Sequence, residues 1–540
     1  MTTEETLTAT VPSQQIFATT FRVLIIAAVG MAALLALLSA AGHDQLWFLL
    51  MARRWLGGAT LYGPEIFDSN PPLVVWVSSV PVALATALHV HATLVAKLLV
   101  SLLETAAAYL SFFFLRRARS TPRYEVPALL FAGITIFYAV PARDFGQRDH
   151  LTAFLILPYI LAAACRERLI LPRTLAGALA AIAICLKPHH ALIPVTIELA
   201  LLFTTSRFFA RKLGATPNAA KSSPRVIYRL EPLLILFLGL LFLVCVRRFA
   251  PLYFTNALPL TRATYWAIGD RTLPQLVWEA RELMVLAAAS LTLTLRFKPP
   301  NPIVPLLHLA AVAAGLAYFV QGTGWYYQQL PAISLFACAL VLQLLDLFAT
   351  NPVRLPTWLP KGAAALTVLS LALAAHFTGY PFTRDRALAI ASPDPAFFTA
   401  LPPGTPVAIL TTTVEFTMMP VERYQLLWAQ RTNNLWFLPA ILGSELSPAH
   451  PHLTPGTTMR LDMLEHRWMV EDLNRWHPQL ILVQRCQDPA VHCQHLAHRH
   501  ENLLAWFARD PAFRAVFAMY LPAGSRGEFD AYALRPTSGK

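Results

Sequence analysis

Apolar residues fall in long unbroken blocks between Phe21 and Phe377, and in short alternating ones after that. The long blocks run about 17–22 residues, the length that carries an α-helix across a bilayer core. They predict crossings at 21–41, 93–115, 125–141, 150–165, 172–187, 188–205, 231–248, 282–296, 303–320, 328–348 and 361–377, about eleven in all. From about Phe382 no run of spanning length follows. There "TPVAILTTTV" and "PQLILVQR" read as short buried strands, "RLDMLEHRWMVEDLNRW" as a helix, and "FDAYALRP" as a last strand. That is a soluble α/β domain of about 155 residues, enough for a core of its own. The expected fold is therefore mainly α: a polytopic transmembrane bundle with interfacial helices, followed by an extracytoplasmic α/β domain. The expected division is a cytoplasmic tail at 1–20, a membrane domain at 21–379 and the α/β domain at 380–540.

One apolar stretch does not fit a simple zigzag. "FDSNPPLVVW", residues 67–76, leads from polar residues straight into the block at 71–91. Basic clusters decide how to read it. They lie at Arg116, Arg117, Arg119 and Arg123; at Arg166, Arg168 and Arg173; and from Arg207 to Arg229. Others lie at Arg296 and Lys298, and at Arg354 and Lys361. Loops rich in Lys and Arg stay cytoplasmic. With the N-terminus inside, every cluster is cytoplasmic only if 71–91 does not cross. The block is therefore expected to lie at, or dip into, the outer interface. Pro71 and Pro72 suit a helix start and Trp76 suits the headgroup zone.

Composition agrees with a membrane protein. The 540 residues are 56% hydrophobic and 14% charged, with mean hydropathy +0.50. The first twenty residues lack the basic stretch of a secretory signal, so 21–41 is expected to remain as an uncleaved helix. The net charge of +13 fits cytoplasmic loops better than nucleic-acid binding.

In this orientation the polar residues of the membrane part gather on the outer face. They are Asp44 in "GHDQ"; Arg143, Asp144, Arg148 and Asp149 in "ARDFGQRDH"; and Lys187, His189 and His190 in "LKPHHAL". Arg262, Asp270 and Arg271 lie between 249 and 281, and Trp325, Tyr326, Tyr327 and Gln328 lie in "QGTGWYYQQ". Charges so close to hydrocarbon are costly unless paired or wet. Carboxylates can take a proton from an acceptor hydroxyl. Lys, Arg and His can hold a departing phosphate. Tyr and Trp can stack on a sugar or a headgroup.

The order Asp44, Ala52, Leu56, Gly58, Tyr62, Asp68, Pro71, Pro72, Leu73 and Trp76 resembles the first outer loop of GT-C superfamily glycosyltransferases. These include protein O-mannosyltransferases and lipid A aminoarabinose transferases. "GQRDHL", with Asp149, resembles the second acidic loop of that family. The resemblance is loose over the chain and best in its first 200 residues. It implies transfer of a sugar from a polyprenyl-phosphate carrier to a lipid, glycan or protein acceptor, at the outer face of a bacterial inner membrane. It implies Asp44 as the acid that acts as base or orients the acceptor, with Asp149 and Asp144 in support. Arg143, Arg148, Lys187, His189, His190, Tyr62, Trp325, Tyr326, Tyr327 and Gln328 would then bind substrate. Some relatives carry Lys before the Pro-Pro pair where this chain has Asn70, so Lys187, Arg148 or His189 would take over the phosphate. A divalent cation is possible and not required, and no metal ligand is assigned.

No Walker motif, dinucleotide fingerprint or HExxH helix occurs, which counts against a soluble nucleotide-sugar donor. A transporter or lipid flippase would carry ionisable residues at mid-membrane and two matching halves; neither is evident in the sequence. A non-catalytic envelope assembly protein would tolerate loss of Asp44. Cys165, Cys185, Cys245 and Cys338 lie in or beside spans and read as core residues. Cys486 and Cys493 lie in the extracytoplasmic domain and are expected to be bonded. The neighbouring "HCQHLAHRH" matches no strong zinc spacing.

Overall fold

The computed structural model describes residues 41–119, 129, 132–133, 135–141, 144–165, 167, 169–205, 229–269, 271–297, 302–350, 393–446, 453–496 and 500–535. The expected tail at 1–20, the crossings at 21–41 (but for residue 41) and 361–377, much of 125–141, and Arg143 and Asp270 lie outside the described residues.

The membrane part is built from α1 (His43–Leu56), α2 (Leu73–Leu88), α3 (Ala92–Ala118), α4 (Arg148–Ala164), α5 (Ile170–Leu186), α6 (Leu192–Thr205), α7 (Leu230–Phe249), α8 (Arg281–Arg296), α9 (Ile303–Gln321) and α10 (Leu330–Thr350). Among the described residues, four helical segments are long and apolar enough to cross a bilayer: Ala92–Ala118, Leu230–Phe249, Ile303–Gln321 and Tyr326–Leu347. Leu73–Leu88, Ile170–Leu186 and Pro188–Phe203 are apolar but shorter. The core centres on α4, buried along nearly its whole length and packed by α3, α5, α9 and α10. Outward-facing leucines such as Leu236, Leu240 and Leu295 are exposed, as expected where lipid replaces water as the neighbour.

The expectation that no ionisable residue lies inside the bundle is corrected. Lys97 and Glu104 are buried within α3, and His308 within α9. His308 Nε2 lies 2.7 Å from Ser290 Oγ, which donates to Gln343 Oε1 at 3.1 Å. The helices flanking these residues are almost wholly apolar, which hides single polar positions from a windowed reading.

Residues 393–535 carry a five-stranded mixed sheet, β1 (Pro406–Leu410), β2 (Leu427–Trp428), β3 (Leu480–Gln484), β4 (Tyr520–Arg526) and β5 (Phe529–Leu534), in the order β2-β1-β3-β5-β4. β1 pairs in parallel with β2 and β3, and β5 runs antiparallel to β3 and β4. Strands β1 and β3 are apolar because both faces are covered. Helices α11 (Met418–Arg423), α12 (Leu438–Leu446) and α13 (Pro455–Trp476) belong to this domain. Cys486 and Cys493 form a disulfide with Cα atoms 5.6 Å apart. It closes the loop that leaves β3.

The α/β domain grips both ends of α2. Before α2, the Phe67 amide donates to the Arg431 carbonyl at 2.8 Å, and the Phe67 ring meets Trp468 at 4.8 Å. Arg54 donates to the carbonyls of Glu65 and Gln430, each at 2.8 Å, and to that of Trp428. After α2, Thr93 Oγ1 donates to Glu422 Oε1 at 3.3 Å. The two ends of α2 therefore lie on the side where the domain sits, as an interfacial or dipping helix requires. Single cysteines at Ser69, His89 and Ser525, in a background lacking the native cysteines, should all react with an impermeant thiol reagent in intact cells. A residue 89 site labelled only from the cytoplasm would make 71–91 a true crossing.

Within the domain, Arg431 is held by Asp472, which accepts from its Nε and its amide at 2.8 Å each. Nearby Glu465 is buried. Burial pushes its carboxyl up to about 8, against an ordinary 4.5, with the Phe437 amide opposing only in part. The folded domain thus keeps a proton that the unfolded chain loses above pH 4.5. Stability is fully present below that pH and declines as pH rises to about 8, costing up to about 3 kcal/mol at pH 7. Glu465→Gln should flatten this slope and raise the thermal midpoint measured by tryptophan fluorescence at about pH 8. An identical pH slope in the variant would show that Glu465 ionises at no cost. Asp472, raised to about 6 by burial against the pull of Arg431, leaves a residual slope at lower pH.

Candidate active site

Two helix N-termini meet where the site forms. Asp44 lies in the first turn of α1 and Asp149 in the first turn of α4. A carboxylate is favoured there by the helix dipole. The turn before α4 is set by Gly146, whose φ is 86°. A Cβ at Gly146 would lie 2.8 Å from Gln45 Nε2, so only glycine lets the second acidic loop close on α1. The Gly146 amide donates to His150 Nδ1 at 3.0 Å, and His150 Nε2 then donates to the Phe137 carbonyl at 2.8 Å. His150 is thus a fixed brace, and it aims Arg148 and Asp149 into the site.

Each carboxylate has cationic company. Asp44 lies 3.1 Å from His43 Nε2 and 3.5 Å from an Arg148 nitrogen. Burial pushes its carboxyl up, but His43 first and then Arg148 more than offset this, and it stays well below the usual carboxylate range. Asp149 is fully buried, 2.6 Å from Lys187 Nζ and 3.0 Å from His190 Nε2. Lys187 also donates to Gln321 Oε1 at 3.2 Å and sits 5.2 Å from the centroid of Tyr327. Arg148 lies 4.9 Å over the Phe48 ring and donates to the Asn70 side chain.

Asn70 therefore stands beside the Arg148 guanidinium. It is held by its own neighbours: its carbonyl accepts from Tyr62 at 2.6 Å, and its amide donates to Asp68 at 2.7 Å. Asp68 also accepts from Trp47 Nε1 at 2.7 Å. Burial raises the Asp68 carboxyl, partly opposed by these two donors.

Asp44, Arg148, Asp149, Lys187, His189, His190 and Tyr327 come together in one cluster, buried but for the half-buried Asp44 and His189, with Tyr62 reaching it through Asn70. Trp325 stacks on Tyr327 at 5.6 Å between centroids. Tyr326 instead donates to the Val140 carbonyl at 2.9 Å, and Gln328 accepts from Thr323 at 2.7 Å. These two brace the loop rather than enter the cluster. Asp144 is buried, and its charge is felt at Tyr326. His43 and Gln321 were not singled out from the sequence, whereas Asn70 was noted as the residue before the Pro-Pro pair. His43 adjoins Asp44, and Gln321 opens "QGTGWYYQQ", which were the available signals. Tyr265 was missed too. It feels Arg148, Asp149 and Asp44, and burial pushes its phenol up to about 12, so it is a neutral hydroxyl.

Asp149, His189 and His190 offer one oxygen and two nitrogens within 4.8 Å of one another. His189 Nε2 and His190 Nδ1 are buried with no hydrogen-bond partner. Imidazole with carboxylate is a donor set that suits a divalent ion such as zinc, so these residues fit a cation. Lys187 already holds one oxygen of Asp149.

The fold, with several span-length apolar helices and a C-terminal α/β domain, is similar over nearly its full length to a solved structure. ArnT from Cupriavidus metallidurans, bound to undecaprenyl phosphate, superposes on 96% of this chain and 98% of its own, with a TM-score of 0.50 and 15% identity. Its apo state gives 0.49 at 14% identity over 96% and 98% of the two chains. AglB from Archaeoglobus fulgidus, in complex with an inhibitory peptide and a dolichol-phosphate, gives 0.42 at 12% identity over 96% and 75%. The latter two superpose too loosely to argue from, and at 15% identity the first is a likeness of fold. No protein-family profile and no curated protein matches the sequence.

Proposed function

We propose that this chain is an integral membrane glycosyltransferase. It moves a sugar from a polyprenyl-phosphate-linked donor to an acceptor at the outer face of a bacterial inner membrane, and its α/β domain (380–540) is extracytoplasmic. The observation that carries this reading is one largely buried cluster in which each of two carboxylates, Asp44 and Asp149, is paired with a cation, Arg148 and Lys187. The likeness in fold to an enzyme bound to undecaprenyl phosphate supports the donor class.

In the reaction the bond between the sugar's anomeric carbon and the carrier's phosphate oxygen breaks. A bond forms from that carbon to the acceptor's oxygen. The electron pair leaves with the phosphate, whose growing charge Arg148 and Lys187 would meet with little rearrangement. Asp44, held low by His43 and Arg148, is a stronger hydrogen-bond acceptor than proton acceptor. It would orient the acceptor's hydroxyl and polarise its O–H bond, and the proton would pass to an oxygen of the departing phosphate as the new bond forms. Asp149 holds Lys187 and His190 in place. A bound divalent ion at Asp149, His189 and His190 would add further positive charge beside the phosphate.

The test is purified protein in proteoliposomes with a panel of polyprenyl-phosphate sugars, read by release of free polyprenyl phosphate. Release that depends on Asp44 supports the transferase. Movement of an intact lipid-linked saccharide between leaflets, without release, would favour the flippase reading, for which buried Lys97 and Glu104 would then be the place to look.

A further inference from the structure

Helix α3 is long and apolar enough to cross a bilayer, yet one of its faces is polar. Lys97, Glu104 and Ser111 recur every seven residues, so they lie on one side of the helix, two turns apart. All three are buried, Glu104 with only 3% of its surface exposed. Leu98 and Leu102, off this face, are exposed. Glu104 sits near the middle of the helix, twelve residues after Ala92 and fourteen before Ala118.

The carboxylate has no counter-charge. Glu104 Oε2 is buried without a hydrogen-bond partner, and among the described residues no cation acts on it. Lys97 is engaged elsewhere. Titratable groups on the neighbouring elements are bound elsewhere too. On α4, His150 is braced between Gly146 and Phe137, and Tyr159 donates to Glu198 at 2.5 Å. Arg173 of α5 pairs with Glu231, and His89, after α2, is exposed. Tyr138 is within electrostatic reach of Glu104 and donates to the Ser101 carbonyl at 3.4 Å. An ionised carboxylate alone in such a place is costly, and the group escapes the cost by taking up a proton. A metal ion would not serve: Glu104 and the nearby Ser101 hydroxyl fall far short of the roughly six oxygens that a hard cation takes.

Two more oxygens on this side of α3 lack partners. Ser101 Oγ, almost one turn before Glu104, and Ser111 Oγ, two turns after it, are both buried and unbonded. Buried hydroxyls left over in this way are the groups that internal water satisfies. At one end the face meets the acidic turn of the candidate site: a Cβ at Gly146 would lie 3.5 Å from Val100 Cγ2, one turn from Lys97.

We propose that Glu104 is a proton-binding site inside the membrane part. Its carboxyl is protonated at rest and exchanges that proton with water that reaches it along α3 from the side of the Gly146 turn. Hydronium gives its proton to a Glu104 carboxylate oxygen and leaves as water; the reverse step returns it. Loss of the proton sets a bare charge against α4, the helix that begins with Arg148 and Asp149. The proposal does not depend on the transferase reading.

The test uses the purified full-length chain in lipid nanodiscs, read by infrared difference spectroscopy between wild type and Glu104→Gln at neutral pH. Wild type should show one protonated-carboxyl band that the variant loses, and that band should move to lower frequency when D2O replaces water. Glu465 contributes to both spectra and cancels. Glu104→Asp keeps a carboxyl and should displace the band rather than remove it, which carries the test if the amide variant does not fold. A spectrum unchanged in both variants would mean that Glu104 is ionised, and would overturn the proposal. A band that stays unshifted after prolonged exposure to D2O would overturn it too, because the proton would then be sealed from water.

Discussion

Asp44→Asn should lower sugar transfer by about 10²-fold or more while the protein still folds. The amide keeps the shape of the carboxylate. It loses the charge that would polarise the acceptor's hydroxyl and that faces His43 and Arg148 at 3.1 and 3.5 Å. Part of the loss is indirect, because Arg148 would be left to Asn70 and the Phe48 ring. Donor binding should therefore change little or even tighten, since one negative charge has left the phosphate's surroundings. The measurement is single-turnover transfer with donor and acceptor varied separately in the proteoliposome assay. Near wild-type turnover in a well-folded Asp44→Asn protein would take Asp44 out of the chemistry and revive the assembly-protein reading.

Lys187→Ala should weaken donor binding far more than acceptor binding, and should also destabilise the protein. The two effects have different causes. The ammonium is the nearest cation to Asp149, at 2.6 Å, and removing one member of a buried pair costs about 3–5 kcal/mol because the other charge is stranded. The double variant Lys187→Met/Asp149→Asn removes both charges and should recover much of the stability. Donor affinity should stay low in the double variant if Lys187 meets the phosphate. Titration with a polyprenyl-phosphate sugar, alongside thermal melting, separates the two. Equal donor affinity in all three proteins would move the phosphate site to the loop that carries Arg262 and Arg271.

The legible part of the chain was what burial and charge impose locally. Long apolar blocks announce α3, α7, α9 and α10, because lipid accepts little else over such a length. Basic loops led to the expectation that 71–91 is not an ordinary crossing, and residues flanking both ends of that helix contact the α/β domain. Asp44, Asp149, Lys187 and His190 stood out because charge beside hydrocarbon is rare, and the fold brings them into one cluster.

What stayed hidden depends on distant contacts. β4 contains Pro522 and Gly524, with a register shift between them. An edge strand tolerates these residues, but a period-two reading discards them. Lys97, Glu104 and His308 are single polar positions in apolar helices, and only the packing says which way they point. Arg54 reads as one more basic residue at the end of a helix, where the dipole favours it. Its real partners are carbonyls more than 370 positions away, at Trp428 and Gln430.

That last span has a consequence for how the protein is made. Arg54 and its Gln430 acceptor are 376 residues apart. At a ribosomal pace of about 5–20 residues per second, the loop between α1 and α2 waits on the order of half a minute for the surface that holds it. During that interval Glu65 and Phe67 lack their partners in the α/β domain, although α1 and the acidic turn before α4 have already been synthesised. The site must therefore be finished from the C-terminal end, after the helices that surround it are in place. A nascent chain stalled before Trp428 would hold both carboxylates and lack the brace for the loop between them, a half-built state for envelope quality control to recognise.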